Sequence, residues 1–226
     1  LATALAALAV VFSHTEHLGG WKAVELVALL GVFLLVGGLI GLVIQPSMER
    51  FMQDVRQGTL DYTLTKPEDA QLLVCIGEMR TWRLADVALG LLVLGVATVE
   101  LGTDLGPLQI LTFAATLAAG GVIVYSFWII LATLTFWFVK IENILVIFQS
   151  MYDAGRWPVD LYPRWLRTTL TFLVPIAFAV TVPSEALVGR LTIDTLVGAV
   201  VLAAAMLVLS RLVWRRGVKR YAGASA

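Results

Sequence analysis

Few side chains in this sequence could carry out chemistry, and they are scattered. His14, Glu16 and His17 have a spacing that could serve a metal ion, but without supporting ligands they predict a solvated turn. Cys75 is the only cysteine in the sequence, which excludes an internal disulfide and a multi-cysteine metal site. The sequence contains no G-x-x-x-x-G-K-[ST] phosphate-binding loop. We therefore expect no catalytic residue, metal site or cofactor in this chain.

Four residues within or beside apolar stretches are candidates for contact with a transported molecule. Glu142 and Gln149 are seven residues apart and share one face of a helix. Tyr125 and Trp128 could stack on an apolar or cationic substrate. Aromatic residues that face lipid or its interface give the same pattern, so both interpretations of the aromatic pair stay open.

The composition indicates that lipid is the solvent for much of this chain. Of its 226 residues, 59% are hydrophobic and 14% are charged. A soluble domain is about 45–50% apolar and about 25% charged, so this chain has too few charges to cover a water-facing surface. Its formal net charge is zero, which argues against nucleic acid as a partner.

Six apolar segments predict an all-helical, polytopic membrane protein with a single transmembrane domain over residues 1–226. A spanning helix needs about 20 residues, so the first segment is expected to be the end of a spanning helix that begins before Leu1. The segments are Leu1–Phe12, Leu26–Ile44, Leu84–Val99, Leu105–Val139, Thr168–Val182 and Ile193–Val213.

The distribution of Lys and Arg predicts the orientation of these segments. The connection Gln45–Arg83 contains five such residues, and the C-terminal end from Arg211 onward contains five more. On the other side, the connections hold only Lys22 and Arg190. Cytoplasmic connections carry the excess of positive charge, so residues 45–83 and the C-terminus are expected in the cytoplasm.

The cytoplasmic connection carries two helix signals. Pro46–Gln57 reads as a short amphipathic helix that Gly58 ends by adopting positive φ. Pro67 is expected to open a second helix, with Glu68 and Asp69 in its first turn. Such a helix lies flat on a membrane or docks on another protein.

The linker between these helices resembles the R-x-G-x-L-D-x-x-L-x-[KR]-P signature of a bacterial branch of the ABC-2 permease family. Two further stretches agree with the same family in the same order, one from Gly155 to Pro183 and one from Trp214 to Tyr221. The residues that carry the linker signature are Arg56, Gly58, Leu60, Asp61, Leu64, Lys66 and Pro67.

The resemblance implies a six-helix transmembrane domain like that of type V exporters, in a bacterial inner membrane. It implies that residues 45–83 couple the permease to separate ATPase subunits, which bind ATP and Mg²⁺, and that a second permease completes the substrate path. Asp61 and Lys66 would then make charged contacts with the ATPase, and Leu60 and Tyr62 packed contacts. Asp61 could instead be a local turn residue.

The resemblance also bears on Lys140–Arg167, which is too polar for a plain lipid-facing helix. This stretch is either a cytoplasmic connection or a short helix, Ile141–Ala154, that leads into a re-entrant segment on the non-cytoplasmic side. The resemblance favours the re-entrant interpretation for residues 155–183. Its landmark residues are Gly155, Pro158, Tyr162, Pro163 and Pro175.

Three other functional classes are weighed against an exporter permease. An intramembrane lipid-modifying enzyme would need a cluster of reactive side chains, whereas both histidines lie in one loop. An ATP-independent channel or secondary transporter usually shows internal repeats, and none is evident. A structural subunit of a larger membrane assembly is equally compatible with the composition.

Overall fold

The computed structural model describes residues 2–102, 106–138 and 144–222. These parts of the chain form helices joined by short turns, and they contain no named strand. The all-helical fold class predicted from the apolar segments is therefore confirmed.

The first helix, α1, covers Ala2–Phe12, and the second element is a single uninterrupted helix from Ala23 to Gln57. This long helix consists of α2 (Ala23–Leu39), a π-helical turn (Ile40–Ile44) and α3 (Gln45–Gln57). The helix predicted over Pro46–Gln57 is present as α3, with Pro46 in its first turn, but it continues from α2 without a break. The wider π turn accommodates the proline, because it displaces the carbonyl that the ring would otherwise strike.

Beyond Gln57 the chain makes short elements before it returns as a long helix. They are α4 (Asp61–Leu64), α5 (Ala70–Cys75) and a 3-10 turn (Thr81–Arg83) that leads into α6 (Leu84–Leu101). The second helix begins at Ala70 and not at Pro67, so that prediction was wrong. Asp69 is the N-cap, since its carboxylate accepts the backbone N–H of Gln71 at 2.9 Å.

Helices α2 and α6 pack with their backbones in close contact, and one glycine makes this possible. A Cβ atom added at Gly90 would lie 2.5 Å from the backbone nitrogen of Leu35 and 2.8 Å from its Cα. Small residues of this kind allow helices to approach within a membrane, where polar and dispersion contacts replace the hydrophobic effect.

The second pair of long helices consists of α7 (Pro107–Thr133), extended by a 3-10 turn (Leu134–Phe136), and α11 (Ile193–Ala222). Gly217 on α11 lies against the ring of Phe136, so these two helices also meet at a glycine. Phe136 in turn packs edge-on against Phe51 of α3 and Trp214 of α11, and these two rings contact each other in a tilted arrangement.

Between α7 and α11 the chain forms a series of short, broken helices. Tyr152 at the end of α8 donates a hydrogen bond to the Phe33 carbonyl at 2.8 Å, which places it beside the middle of α2. The elements are α8 (Ile144–Tyr152), 3-10 turns Asp153–Arg156 and Val159–Leu161, α9 (Arg164–Thr168), π turns Thr169–Leu173 and Ala177–Thr181, and α10 (Val182–Leu187).

Among the described residues, four helices are long and apolar enough to span a membrane. They are Ala23–Gln57, Thr81–Leu101, Pro107–Phe136 and Ile193–Tyr221. The other two apolar segments contain only shorter apolar helices, Thr3–Phe12 and Ala177–Leu187. The segment around Pro175 is thus not one continuous spanning helix.

Helices α2, α7 and α11 run in the same direction and α6 runs antiparallel to them, which defines two ends of the molecule. The basic end contains α3, α5, the 3-10 turn before α6 and the last turns of α11. The opposite end contains the turn around Trp21 and the turn after α10, where Arg190 donates a hydrogen bond to the Gly20 carbonyl at 2.7 Å.

Candidate functional site

The linker at the basic end is held in shape by its first residues. Gly58 ends α3 with φ +71°, a left-handed conformation that favours glycine, and a Cβ there would meet nothing within 4 Å. The next residue, Thr59, donates its backbone N–H to the Asp54 carbonyl at 3.0 Å and its hydroxyl to the Asp54 carboxylate at 3.1 Å. The path of the linker is therefore set by backbone geometry and local hydrogen bonds.

Leu60 and Tyr62, both predicted to pack against an ATPase, lie in different environments. The side chain of Leu60 is 0% exposed within the core, whereas that of Tyr62 is 78% exposed. Leu60 therefore anchors the linker inside the chain and is not available for a packed contact with a partner, because its surface is already covered. Asp61, Lys66 and Pro67 are exposed beside Tyr62.

A polar network, which the sequence did not reveal, ties α5 to two spanning helices. The guanidinium of Arg211 on α11 donates to both carboxylate oxygens of Asp69 and, at 2.9 Å, to the side-chain oxygen of Gln71. Gln71 also donates to the hydroxyl of Tyr125 on α7 at 3.0 Å. Hydrogen bonding to Arg211 lowers the pKa of Asp69, so its carboxylate stays charged.

Cys75 completes this network as a half-buried thiol. Its Sγ donates to the Gln71 carbonyl at 2.8 Å and lies 3.3 Å from the Tyr125 hydroxyl. Burial raises the pKa of the Cys75 thiol to about 11. This cysteine is a packing residue with little thiolate at neutral pH.

The second half of the connection is fastened to α3 by a separate set of contacts. Ser47 on α3 donates its hydroxyl to the Glu78 carbonyl at 2.9 Å, and Arg80 forms an ion pair with Glu49. The backbone N–H of Arg80 also donates to the Leu42 carbonyl in the π turn at 2.9 Å. Displacement of this connection would therefore be felt directly by the long helix.

A cleft of about 300 Å³ opens between α3 and the α4–α5 connection. Its polar walls include Arg50, Asp54 and Lys66, and Phe51 forms part of its floor. A cleft of this size could receive one or two side chains from another protein.

The residues predicted to line a substrate path are largely engaged within the chain. Trp128 is 0% exposed and packs edge-on against Phe148 with ring centroids 4.9 Å apart. Tyr125 belongs to the Gln71 network, and Gln149 is half-buried on α8. Glu142 lies outside the described residues. Their role in a path stays a prediction, and for Trp128 it would require rearrangement of the core.

From Gly155 to Leu187 the chain runs from the middle of the molecule to the opposite end, back to the middle, and out to that end again. A Cβ at Gly155 would lie 2.5 Å from Cγ2 of Ile176, so the two meet beside the middle of α2. Between them, Leu161 reaches the turn at Gly19, at the very end of the molecule. After Ile176, the carbonyl of Leu187 again lies at this end, where it accepts a hydrogen bond from Gln109.

The landmark residues of this segment each shape the backbone. Pro163 is the N-cap position of α9, and the buried Pro175 separates the two π turns. Tyr162 donates its hydroxyl to the Ala154 carbonyl at 2.9 Å, and Pro158 is buried between the two 3-10 turns. Proline at these breaks is tolerated because protein surrounds the freed backbone groups.

Asp69, Gln71 and Arg211 are functional candidates that sequence reasoning missed. The only signal for Asp69 was its place ahead of a helix, and Arg211 counted only as one of several C-terminal positive charges. Their pairing joins residues 142 positions apart in the chain, which no local pattern reveals. Among the residues that the structure describes, no group of three His, Cys, Asp or Glu side chains could hold a metal ion.

Comparison with known proteins supports the resemblance carried by the linker motif. No curated protein matches the chain significantly. The sequence model of the family described as "ABC-2 family transporter protein" matches residues 1–225. With four helices able to span a membrane and a family match over nearly its whole length, this chain is a multi-pass membrane protein that belongs to the ABC-2 transporter family.

Proposed function

We propose that this chain is the permease subunit of an ATP-binding-cassette exporter and is driven by a separate ATPase. The observation that carries the proposal is the exposed linker at the basic end, with Tyr62, Asp61 and Lys66 on its surface. Aromatic and charged side chains around a cleft are features of protein docking surfaces. In this proposal ATP and Mg²⁺ bind to the partner and not to this chain.

The contacts of the linker suggest how movement of the ATPase would reach the spanning helices. A push on α4 and α5 would act on α11 through the Asp69–Arg211 ion pair and on α7 through Gln71 and Tyr125. The Arg80–Glu49 pair would pass the same push to α3. Helices on both sides of the domain would then tilt together and open the substrate path.

The proposed partner within the membrane is a second permease, identical or homologous, that lies beside this chain. Helices α6 and α11 carry broad apolar faces that this chain leaves uncovered. Lipid covers such faces in part, and a second subunit would cover the rest. The exposed apolar residues include Leu91, Leu92, Val96 and Val99 on α6 and Val200, Val201, Val208 and Leu212 on α11.

The proposed orientation places the basic end and both termini in the cytoplasm of a bacterial cell, with the protein in the inner membrane. The five Lys and Arg residues of 45–83 and the five at the C-terminal end support this orientation. The inward and outward path from Gly155 to Leu187 is then a re-entrant segment that opens on the non-cytoplasmic side.

The test is co-purification of the full chain from its native membrane in mild detergent, followed by mass spectrometry of its companions. We expect an ATPase subunit to co-purify with the wild-type chain and to be lost from a variant with Tyr62→Ala, Asp61→Ala and Lys66→Ala. The control is Glu16→Ala, an exposed change at the opposite end. Absence of an ATPase under every gentle condition would refute the coupling role.

A further inference from the structure

A polar cavity of about 560 Å³ lies at the opposite end, between α9, the π turns on either side of Pro175 and α10. Its walls combine charged groups, hydroxyls and an apolar side. Those that matter here are Asp160, Arg167, Thr171, Thr181, Phe178 and Glu185. None of these residues takes part in the proposed contact with the ATPase, which is at the other end of the molecule.

Two ion pairs border this cavity. Arg167 forms an ion pair with Asp160 at 2.9 Å, and Arg190 forms one with Glu25 at 2.8 Å. Within the described part of the chain, Glu185 makes neither a hydrogen bond nor an ion pair, although it is half-buried. Glu185 is thus a half-buried carboxylate without a guanidinium in contact, whereas Arg164, which also forms no ion pair within the described residues, is exposed.

The environment of Glu185 penalises its charge. Burial, and then the negative charge of Asp160, raise the pKa of Glu185 to about 7, while Arg190 and Arg167 oppose this shift only in part. Among the other charged residues nearby, Arg164 is exposed at the rim of the cavity and Asp194 is exposed at the start of α11. Helix α7, on which α10 also packs, presents no ionisable group but Tyr125, which belongs to the Gln71 network.

We propose that this cavity binds the ammonium group of an amphiphilic molecule, with Glu185 as its counter-ion. An ammonium group would supply the contacting positive charge that Glu185 lacks and would donate hydrogen bonds to hydroxyl oxygens. Thr171 and Thr195 contribute such oxygens to the wall.

The apolar surroundings of the cavity favour an amphiphile over a small hydrophilic amine. Phe178 and Val182 line the cavity from the same helical segment as Glu185, and Trp165, on the helix that borders the cavity, is 70% exposed. Tryptophan at the boundary between lipid and water is a common membrane anchor, so the mouth of the cavity lies at the depth where amphiphiles reside. A lipid headgroup and a free amphiphilic amine share this chemistry.

The test measures binding of dodecylammonium to the purified full-length chain in a maltoside detergent by calorimetry, from about pH 6 to about pH 8.5. The probe stays protonated across this range, so a change in affinity reports on the protein. The variants are Glu185→Gln, which removes the charge at constant shape, and Thr171→Leu, which fills the cavity. Glu100→Gln is the matched control, since Glu100 is exposed at the end of α6 and does not line the cavity.

We expect saturable binding that tightens about tenfold across this pH range, because the ionised fraction of a carboxyl with pKa near 7 rises by that factor. Glu185→Gln should weaken binding at the higher pH by about tenfold or more and abolish its pH dependence. Thr171→Leu should weaken binding at every pH, and it provides a readout if Glu185→Gln does not fold. Glu100→Gln should behave as wild type.

Two further arms distinguish the sources of the ammonium group. Competition by phosphatidylethanolamine but not by phosphatidylglycerol would identify a lipid headgroup, and lack of competition by either would identify a free amphiphilic amine. Binding that is unsaturable, or equal in wild type and Glu185→Gln, would overturn the proposal. The measurement needs no ATPase, so its failure would leave the proposed coupling function untouched.

Discussion

The contact between α2 and α6 predicts a sharp difference between two glycines on one helix. A Cβ at Gly90 would lie 2.5 Å from the backbone nitrogen of Leu35, whereas a Cβ at Gly95 would meet nothing within 4 Å. An ordinary contact between carbon atoms requires about 3.5 Å, so Gly90→Ala must move the two backbones about 1 Å further apart. The obstacle is main chain, which cannot rotate away as a side chain can.

The two substitutions should therefore change the stability of the protein in opposite directions. Replacing Gly by Ala within a helix stabilises it by about 1 kcal/mol through backbone entropy, and this gain applies to both positions. At Gly90 the overpacking cost of about 1–3 kcal/mol, together with lost contacts along the α2–α6 interface, should exceed that gain. We expect Gly90→Ala to be destabilised and Gly95→Ala to be as stable as wild type or more so.

The assay is the temperature at which the purified protein loses its monodisperse elution in detergent, measured for both variants side by side. A fall for Gly90→Ala, with no fall for Gly95→Ala, is the expected result. Equal behaviour of the two variants would refute the reasoning, because it would mean that α2 and α6 are not in backbone contact. Gly90→Ser would extend the series with a slightly larger side chain and a larger fall.

Three further predictions concern the basic end. Breaking the Asp69–Arg211 pair by Asp69→Asn or Arg211→Gln should lower the stability of the protein by about 1 kcal/mol, as for partly exposed bidentate pairs. A double-mutant cycle on thermal stability should show that the effects of the two changes are not additive. Because the pKa of Asp69 is lowered in the folded chain, this pair stabilises the fold at pH values above the ordinary aspartate pKa, and the stabilisation is lost as pH falls through the lowered pKa. A stability–pH profile that is the same for wild type and Asp69→Asn would contradict this. Leu60→Asp should destabilise the chain by burying a charge, whereas Tyr62→Ala should leave its thermal stability unchanged, and the reverse order would show that Leu60 is not an anchor. Cys75 should react with maleimide far more slowly at pH 8 than a cysteine placed at exposed Thr65, because its pKa of about 11 leaves roughly one thiol in a thousand ionised. Equal labelling rates would show that the Cys75 thiol is not protected by burial.

Sequence reasoning worked best where a local pattern determines the structure. The apolar runs located every long helix, since about 20 residues without charge have one stable arrangement in lipid. Gly58 ends its helix in the expected left-handed conformation, because few other residues adopt positive φ there without strain. The family resemblance was confirmed by the match over residues 1–225, although that match does not bear on individual motif residues.

The predictions that failed depended on contacts between distant parts of the chain. The helix predicted from Pro46 exists as α3, but the sequence did not show that a π turn joins it to α2 without a break. Leu60 was assigned to a partner surface, because a motif does not tell an inward side chain from an outward one. The unpaired Glu185 was not considered at all, since its isolation depends on the pairing of two arginines elsewhere.

The uninterrupted helix from Ala23 to Gln57 gives the chain a lever with two unequal arms. The π turn lies between α2, with 17 residues, and α3, with 13 residues, so at 1.5 Å per residue the arms measure about 26 Å and about 20 Å. A pivot at that turn would multiply any displacement of the Gln57 tip by about 1.3 at the Ala23 end. A stroke of a few ångströms at the basic end is then enough to shift Glu25 by more than the 2.8 Å that separates it from Arg190.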